Sequence, residues 1–179
     1  MAGSPFTSDV SGNWNVGATW GNSGNNVAGD GYPDASDAVT IVTGDVVTLT
    51  QNEEAGFLVI NGGGEIRGGG YKVTLNDAGG ATYIFSNSGT IGATGSHGSF
   101  NIDITGGSAD RPINENGTGS ITNLTINNSG RTYKTHENLT LLGNLTITAG
   151  TLTTNNGSAD KTLTVNGGTI VGDGSSGAN

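Results

Sequence analysis

Residues 138–171 restrict the possible folds more than any other part of the chain. They read NLTLLGNLTITAGTLTTNNG, then a short polar turn, then KTLTVNGGTIV. Leu139, Leu141, Leu145, Ile147, Leu152, Leu163, Val165 and Ile170 alternate with Thr or Asn, in short runs that stop at Gly or Asn-Gly. A period of two sends successive side chains to opposite faces, with Leu, Ile and Val inward and Thr outward. Runs this short do not survive as isolated hairpins. Stacked on copies of themselves they bury their apolar faces, and the pattern therefore predicts coils of a β-solenoid.

Composition supports an all-β reading. Gly accounts for 34 of 179 residues and charged residues for 12%, against usual shares of about 7% and 25%. Regularly recurring Val, Ile and Leu separate the chain from disordered sequences, which lack such runs. No apolar series at helical spacing occurs. Formal net charge is −9 with six Lys and Arg. No basic cluster can neutralise phosphates, so nucleic acid is not an expected partner, and anionic membranes would repel the chain. No apolar run approaches the roughly 20 residues of a membrane span. With no Cys, the chain forms no disulfide and no thiolate metal site. The start, Met1 to Phe6, shows neither a basic region nor an apolar core of an export signal; either such a signal was removed and replaced, or the chain is not exported by that route, as for virion proteins that leave the cell by lysis.

Two regions are expected. Residues 1–36 hold Trp14, Trp20, Pro5, Pro33 and many turn formers. A solenoid has to cover the open end of its first coil. Trp14, Trp20, Val27 and Tyr32 are therefore expected to fold over it as a cap. Residues 37–179 read as about seven coils starting near 38, 56, 81, 99, 120, 138 and 161, within the range of known repeat periods. Val39, Ile41, Leu49, Ile60, Leu139, Leu145, Ile147 and Leu163 are expected core positions, and residues 105–119 read as an irregular loop. Gly44, Gly62 to Gly64, Gly89, Gly143, Gly150, Gly167 and Gly168 mark corners. The rival is a β-sandwich or jelly roll, which predicts hairpins at Asn61-Gly62 and Asn166-Gly167. No aromatic residue or Pro follows Val171, so the last coil is expected to be covered by another subunit or by further chain.

Candidate sites are few. Asp30, Asp34 and Asp37 lie within eight residues and form a Ca²⁺ candidate, without the EF-hand pattern; the competing reading is a set of Asx turns. His97 and His136 are separated in sequence and read as loop residues, and Ser96 or Ser99 beside His97 is no catalytic signature. A sugar-cleaving site would draw on Glu65, Arg67, Lys72, Asp103 and Arg111, but Glu65 and Arg67 alternate on one strand as a surface ion pair would. Sequons occur at Asn116, Asn123, Asn127, Asn138, Asn144 and Asn156 and read mostly as strand starts. The outward residues mix Thr, Asn, Asp and Lys, unlike the flat Thr array of an ice binder.

Gly12-Asn-Trp14, Ala18-Thr-Trp20, Tyr32-Pro33 and the run from Asp37 through Gly44 to Leu49 resemble the opening module of β-helical proteins in phage structural genes and in large bacterial surface adhesins. The likeness spans roughly residues 12–50. It implies a single-stranded parallel β-helix with a Trp-containing N-terminal cap and assigns no activity. The combined expectation is a non-enzymatic structural protein of a virion: a capsid decoration, head-fibre or tail component. Its expected partners are copies of itself or another virion structural protein, and it needs no cofactor. The alternative is a secreted surface or filament module that binds partners or glycans; a polysaccharide-acting enzyme comes third.

Overall fold

The computed structural model describes residues 5–77, 81–92, 97–107, 110–155, 157 and 159–172. The chain opens with β1 (Pro5–Thr7) and β2 (Gly12–Asn13), then a 3₁₀ turn at Gly17–Trp20. Two sets of three strands follow: β3 (Ala38–Ile41), β4 (Val46–Thr48) and β5 (Glu53–Ala55), then β6 (Phe57–Ile60), β7 (Glu65–Arg67) and β8 (Lys72–Leu75). Next come β9 (Phe85–Asn87), β10 (Thr90–Gly92), β11 (Asn101–Ile104) and β12 (Pro112–Glu115). The last five are β13 (Asn123–Thr135), β14 (Leu139–Leu141), β15 (Leu145–Thr153), β16 (Leu163–Val165) and β17 (Ile170–Gly172).

Every pairing between these strands is parallel. Three tracks result. The first runs β1-β3-β6-β9-β12 and continues into the ends of β13 and β15. The second runs β2-β4-β7-β10, then passes through isolated bridges at Thr90–Thr118 and Ile121–Leu141 to β14 and β16. The third runs β5-β8-β11 and the starts of β13 and β15 to β17. Because β13 and β15 bend through the corner between the third and first tracks, these two tracks form one curled eleven-stranded sheet. Gly150, at φ 95°, takes the bend in β15, a conformation that a Cβ would strain.

Register aligns like with like. Phe6, Val39, Leu58, Phe85 and Ile113 face one another in turn along the first track. Val73, Ile102, Leu124 and Leu145 do so along the third, and Val47, Ile66 and Ile91 along the second. All twelve belong to one buried cluster. Fully burying a side chain of this size contributes about 1.5–3 kcal/mol, and β-branched residues suit the pleated surface. Val39, Ile41, Leu49, Ile60, Leu139 and Leu145 are buried as expected, while Ile147 and Leu163 are partly buried against the cluster.

The two indoles sit on the first strands. Trp14 is fully buried and Trp20 is 6% exposed. Their rings meet edge to face at 5.3 Å, and Trp20 Nε1 donates to the Trp14 carbonyl at 2.6 Å. Phe6 completes the aromatic group, with its ring 6.2 Å from that of Trp20, and Trp14 N–H donates to Thr48 O at 2.9 Å. Tyr32 packs partly buried against the same cluster.

Three expectations change, and the hairpins of the rival reading are not seen among the described residues. The sandwich hairpins do not form: β6 and β7, flanking Asn61-Gly62, lie in different tracks, as do β16 and β17 around Asn166-Gly167. The supposed loop 105–119 contains β12, which pairs with β9 and β13; Pro112 opens that strand, where a missing N–H is tolerated. Val27 is 57% exposed. Its carbonyl accepts from Asp30, Gly31 and Tyr32 N–H, so the residue heads a tight loop and its side chain faces out. Ile170 is aligned with Leu145 but is 60% exposed, because β17 pairs only with β15 among the described residues.

Replacing Trp14 by Ala is expected to lower the free energy of unfolding by about 3–5 kcal/mol, whereas Val27→Ala should shift it by less than about 0.5 kcal/mol. Urea unfolding followed by circular dichroism measures both, and equal losses would contradict the aromatic packing described.

Candidate functional site

The densest polar cluster lies at one corner, between the third and first tracks. Leu75, Ile104 and Ile126 are in register, and two residues beyond each the chain places Asp77, Gly106 and Asn128. One corner therefore gathers polar groups from three successive passes. Asp77 holds φ 45°, the one positive value at a non-Gly residue among those described. Asp is among the residues that tolerate this region best, and such strain persists only where surroundings fix it. Here the fixing groups are visible. Arg111 Nε donates to Asp77 Oδ1 at 2.9 Å, with side chains 18% and 1% exposed. Asn128 Nδ2 donates to Gly106 O at 2.6 Å and to the Tyr133 hydroxyl at 2.7 Å. That hydroxyl donates in turn to Gly106 O at 3.2 Å. Thr132 N–H donates to Asp110 Oδ1 at 2.9 Å.

Burial raises the Tyr133 phenol above its usual range, so it stays neutral and acts as both donor and acceptor. Asp77 Oδ2 is buried without a partner. The centre is built to fix a corner: a guanidinium from the first track neutralises a strained carboxylate from the third. Sequence reading singled out Arg111 alone, as one of several charges for a sugar-cleaving site. Asp77 could have been noticed as an Asp before the Gly79-Gly80 pair, and Arg111 as the charge entering a Pro-led strand.

A second series binds the corner between the second and third tracks. Asn123 Nδ2 donates to Asn101 Oδ1 at 2.7 Å, and Asn123 Oδ1 accepts from Asn144 N–H at 2.8 Å. Asn144 Oδ1 accepts from Thr169 N–H at 2.9 Å and from Thr169 Oγ1 at 3.1 Å. At the corner between the first and second tracks, Asn138 Oδ1 accepts from Thr162 N–H at 2.9 Å. Three sequon asparagines, 123, 138 and 144, thus use their carboxamides to tie adjacent passes. Asn127 is exposed, and Asn156 lies outside the described residues.

The other sequence candidates are dispersed. Ser36 N–H and Oγ both donate to Asp34 Oδ1 at 2.8 Å, and Asp34 N–H donates to Asp37 Oδ2 at 2.9 Å. The hydrogen bonds from Ser36 hold the Asp34 carboxyl below its usual range. These two residues thus shape the turn entering β3, and Asp30 lines an adjoining hollow with Trp20 and Asn22. Among the described residues no group of three His, Cys, Asp or Glu side chains is placed to hold a metal ion. Glu65 pairs with Arg67 at 2.7 Å as the alternation implied, and Lys72 pairs with Asp103. His136 packs edge to face on Tyr83 at 5.3 Å and approaches Glu137 at 3.4 Å. His97 supplies its carbonyl to Gly69 N–H. Ser96 lies outside the described residues. No helix among the described residues is long and apolar enough to cross a membrane.

Two inward carboxyls escaped the sequence reading. Glu53 is 3% exposed at the start of β5, and its Oε1 has no partner. Desolvation pushes its carboxyl up to about 7. Half-buried Glu115 is the other: its Oε1 accepts from Asn87 Nδ2 at 2.7 Å, and desolvation pushes its carboxyl up to about 7. Compared with known proteins, the chain matches no family model, no curated protein and no solved structure.

Arg111→Ala is expected to cost about 3–5 kcal/mol because it leaves the Asp77 charge buried alone, and Asp77→Asn in the same chain should recover much of that loss. Denaturant midpoints of the single and double variants decide this, and simple additivity would contradict the pairing. For Glu53 the folded carboxyl titrates above its unfolded value of 4.5. Its contribution is therefore full below about pH 4.5 and lost as pH rises through about 7. Glu53→Gln should flatten that part of the stability profile and stabilise the fold by about 1–3 kcal/mol at pH 8, as read from melting curves against pH.

Proposed function

We propose that the chain is a single-stranded parallel β-helix whose aromatic N-terminal group caps the first coil, and that it serves as a non-enzymatic structural component of a virion. The observation that carries the reading is the parallel register. Strands about 20 to 30 residues apart in sequence pair in one direction along all three tracks, which is how a coiled chain closes its backbone bonds. Polar side chains support a scaffold role: asparagine carboxamides and the Asp77–Arg111 pair tie one pass to the next. Four of the six cationic side chains pair with carboxylates, leaving the chain strongly acidic at −9. That charge favours solubility and disfavours polyanions. The resemblance of residues 12–50 to the opening of phage and adhesin β-helices points the same way.

Its partner would be a second copy or another virion structural protein. Ile170 and Val171, 60% and 51% exposed on β17, present an apolar strand whose far edge suits an added strand. Mass spectrometry of purified virions tests the reading: the chain should be present in fixed proportion to the other structural proteins. Its absence from virions, with recovery from the cell surface instead, would replace this reading with the adhesin one. Native mass spectrometry of the purified protein should show an oligomer that Ile170→Asp weakens at least tenfold. A wild-type monomer would remove self-association from the proposal.

A further inference from the structure

The leading strands of the first and second tracks differ in how their outer edges are covered. On β2, Trp14 N–H bonds Thr48 in β4, so the preceding Asn13 turns its carbonyl away from β4. That carbonyl accepts from Thr19 Oγ1 at 2.8 Å and from Val16 N–H at 3.2 Å. The edge of β1 has no such cover. Ser8 N–H donates to Thr40 O at 2.9 Å, so Phe6 and Ser8 direct their backbone groups at β3. Backbone direction alternates along a strand, and Thr7 N–H, Thr7 C=O and Pro5 C=O therefore point away from β3. None of the three has a partner among the described residues. This edge borders a hollow of about 390 Å³, with Pro5, Phe6 and Thr7 on one side and Trp20, Asn22 and Asp30 on the other.

The last strand carries the complementary edge. Leu145 N–H donates to Thr169 O at 3.0 Å, so Thr169 and Val171 direct their backbone groups at β15. Those of Ile170 and Gly172 point to the far side, where β17 has no strand partner among the described residues. Ile170 continues the inward row of Leu145 and yet is 60% exposed.

We propose that β17 of one copy adds to the free edge of β1 in the next, parallel and head to tail; the inference rests on the self-association proposed above and names the surface that receives it. The backbone groups set the register. Ile170 N–H meets Pro5 O, Thr7 N–H meets Ile170 O, and Gly172 N–H meets Thr7 O. Pro5 forfeits only the bond that its missing N–H would have made. Val171 then stands opposite Thr7 on the outer face, and Ile170 stands opposite Phe6 on the inner face. The row Leu145–Ile170 of one copy runs on into Phe6–Val39 of the next, and Ile170 enters the hollow beside Trp20. An antiparallel addition would pair Thr7 with Ile170 and put that side chain on the outer face, breaking the row. Neither strand carries a charged side chain, so two chains at −9 meet where their charge is lowest. The contact joins unlike surfaces, and it builds rows or rings rather than a twofold dimer.

Disulfide trapping tests the contact in the full chain, which has no Cys of its own. Residues opposite one another on paired strands lie about 5 Å apart, within disulfide reach. The reaction is run at about 0.3 M NaCl, so that like charges are screened. A mixture of Thr7→Cys and Val171→Cys chains should then yield mainly the mixed dimer, and a chain carrying both substitutions a ladder of linked oligomers. Val171→Cys by itself should link far less. Linking of Val171→Cys to itself as efficiently as in the mixture overturns the head-to-tail order, and so does a mixture that fails to link. Thr7→Pro removes the free N–H and spares every bond to β3. It should keep the wild-type melting temperature and weaken association roughly tenfold or more; unchanged association overturns the proposal. If Thr7→Pro failed to fold, the cysteine pairs would still decide the matter. Membership of a virion is judged separately, by mass spectrometry of particles, and stands or falls apart from these results.

Discussion

Each strand depends on hydrogen bonds to a segment one pass away in the chain. Most strands are three or four residues long, too short to be stable alone. Their backbone groups are satisfied only when the chain returns to the same track in the same direction. This requirement couples the features already described. Corners must recur at matching places, so Gly, Asn and Asp collect there. Inward positions must match in size from pass to pass, so Ile, Leu and Val recur in aligned rows. Beside the first strands Trp14, Trp20 and Phe6 pack their rings edge to face and are buried.

The same geometry explains why polar residues recur in columns. A side chain at a corner lies beside its equivalents in the passes before and after it. Asn101, Asn123 and Asn144 use this to link neighbouring passes, and Asp77, Gly106 and Asn128 gather at another corner. Glu115 stands in such a column, half-buried and in register with Asn87, whose Nδ2 donates to its carboxyl at 2.7 Å.

The all-β character and the inward faces of many strands were legible because alternation of two is a local signal. Val39, Ile41, Leu58, Ile60, Val73 and Leu75 declare their inward faces within single strands. β1 and β2 escaped notice because three and two residues carry no period; only pairing with β3 and β4 makes them strands. β12 offers one buried apolar residue, Ile113, behind a proline. Glu53 and Glu115 occupy inward positions that alternation assigns to apolar side chains, so pattern alone misplaces them. The Asp77 centre joins residues from three passes, a juxtaposition that depends on register and leaves no mark in any one segment.

Interstrand nuclear Overhauser effects test the central claim most directly. Parallel stacking predicts amide-to-Hα contacts linking Leu124 with Leu145, Ile102 with Leu124, and Leu58 with Phe85 and their neighbours. Strong Hα-to-Hα contacts across Asn61-Gly62 and Asn166-Gly167, the mark of antiparallel hairpins, would contradict it.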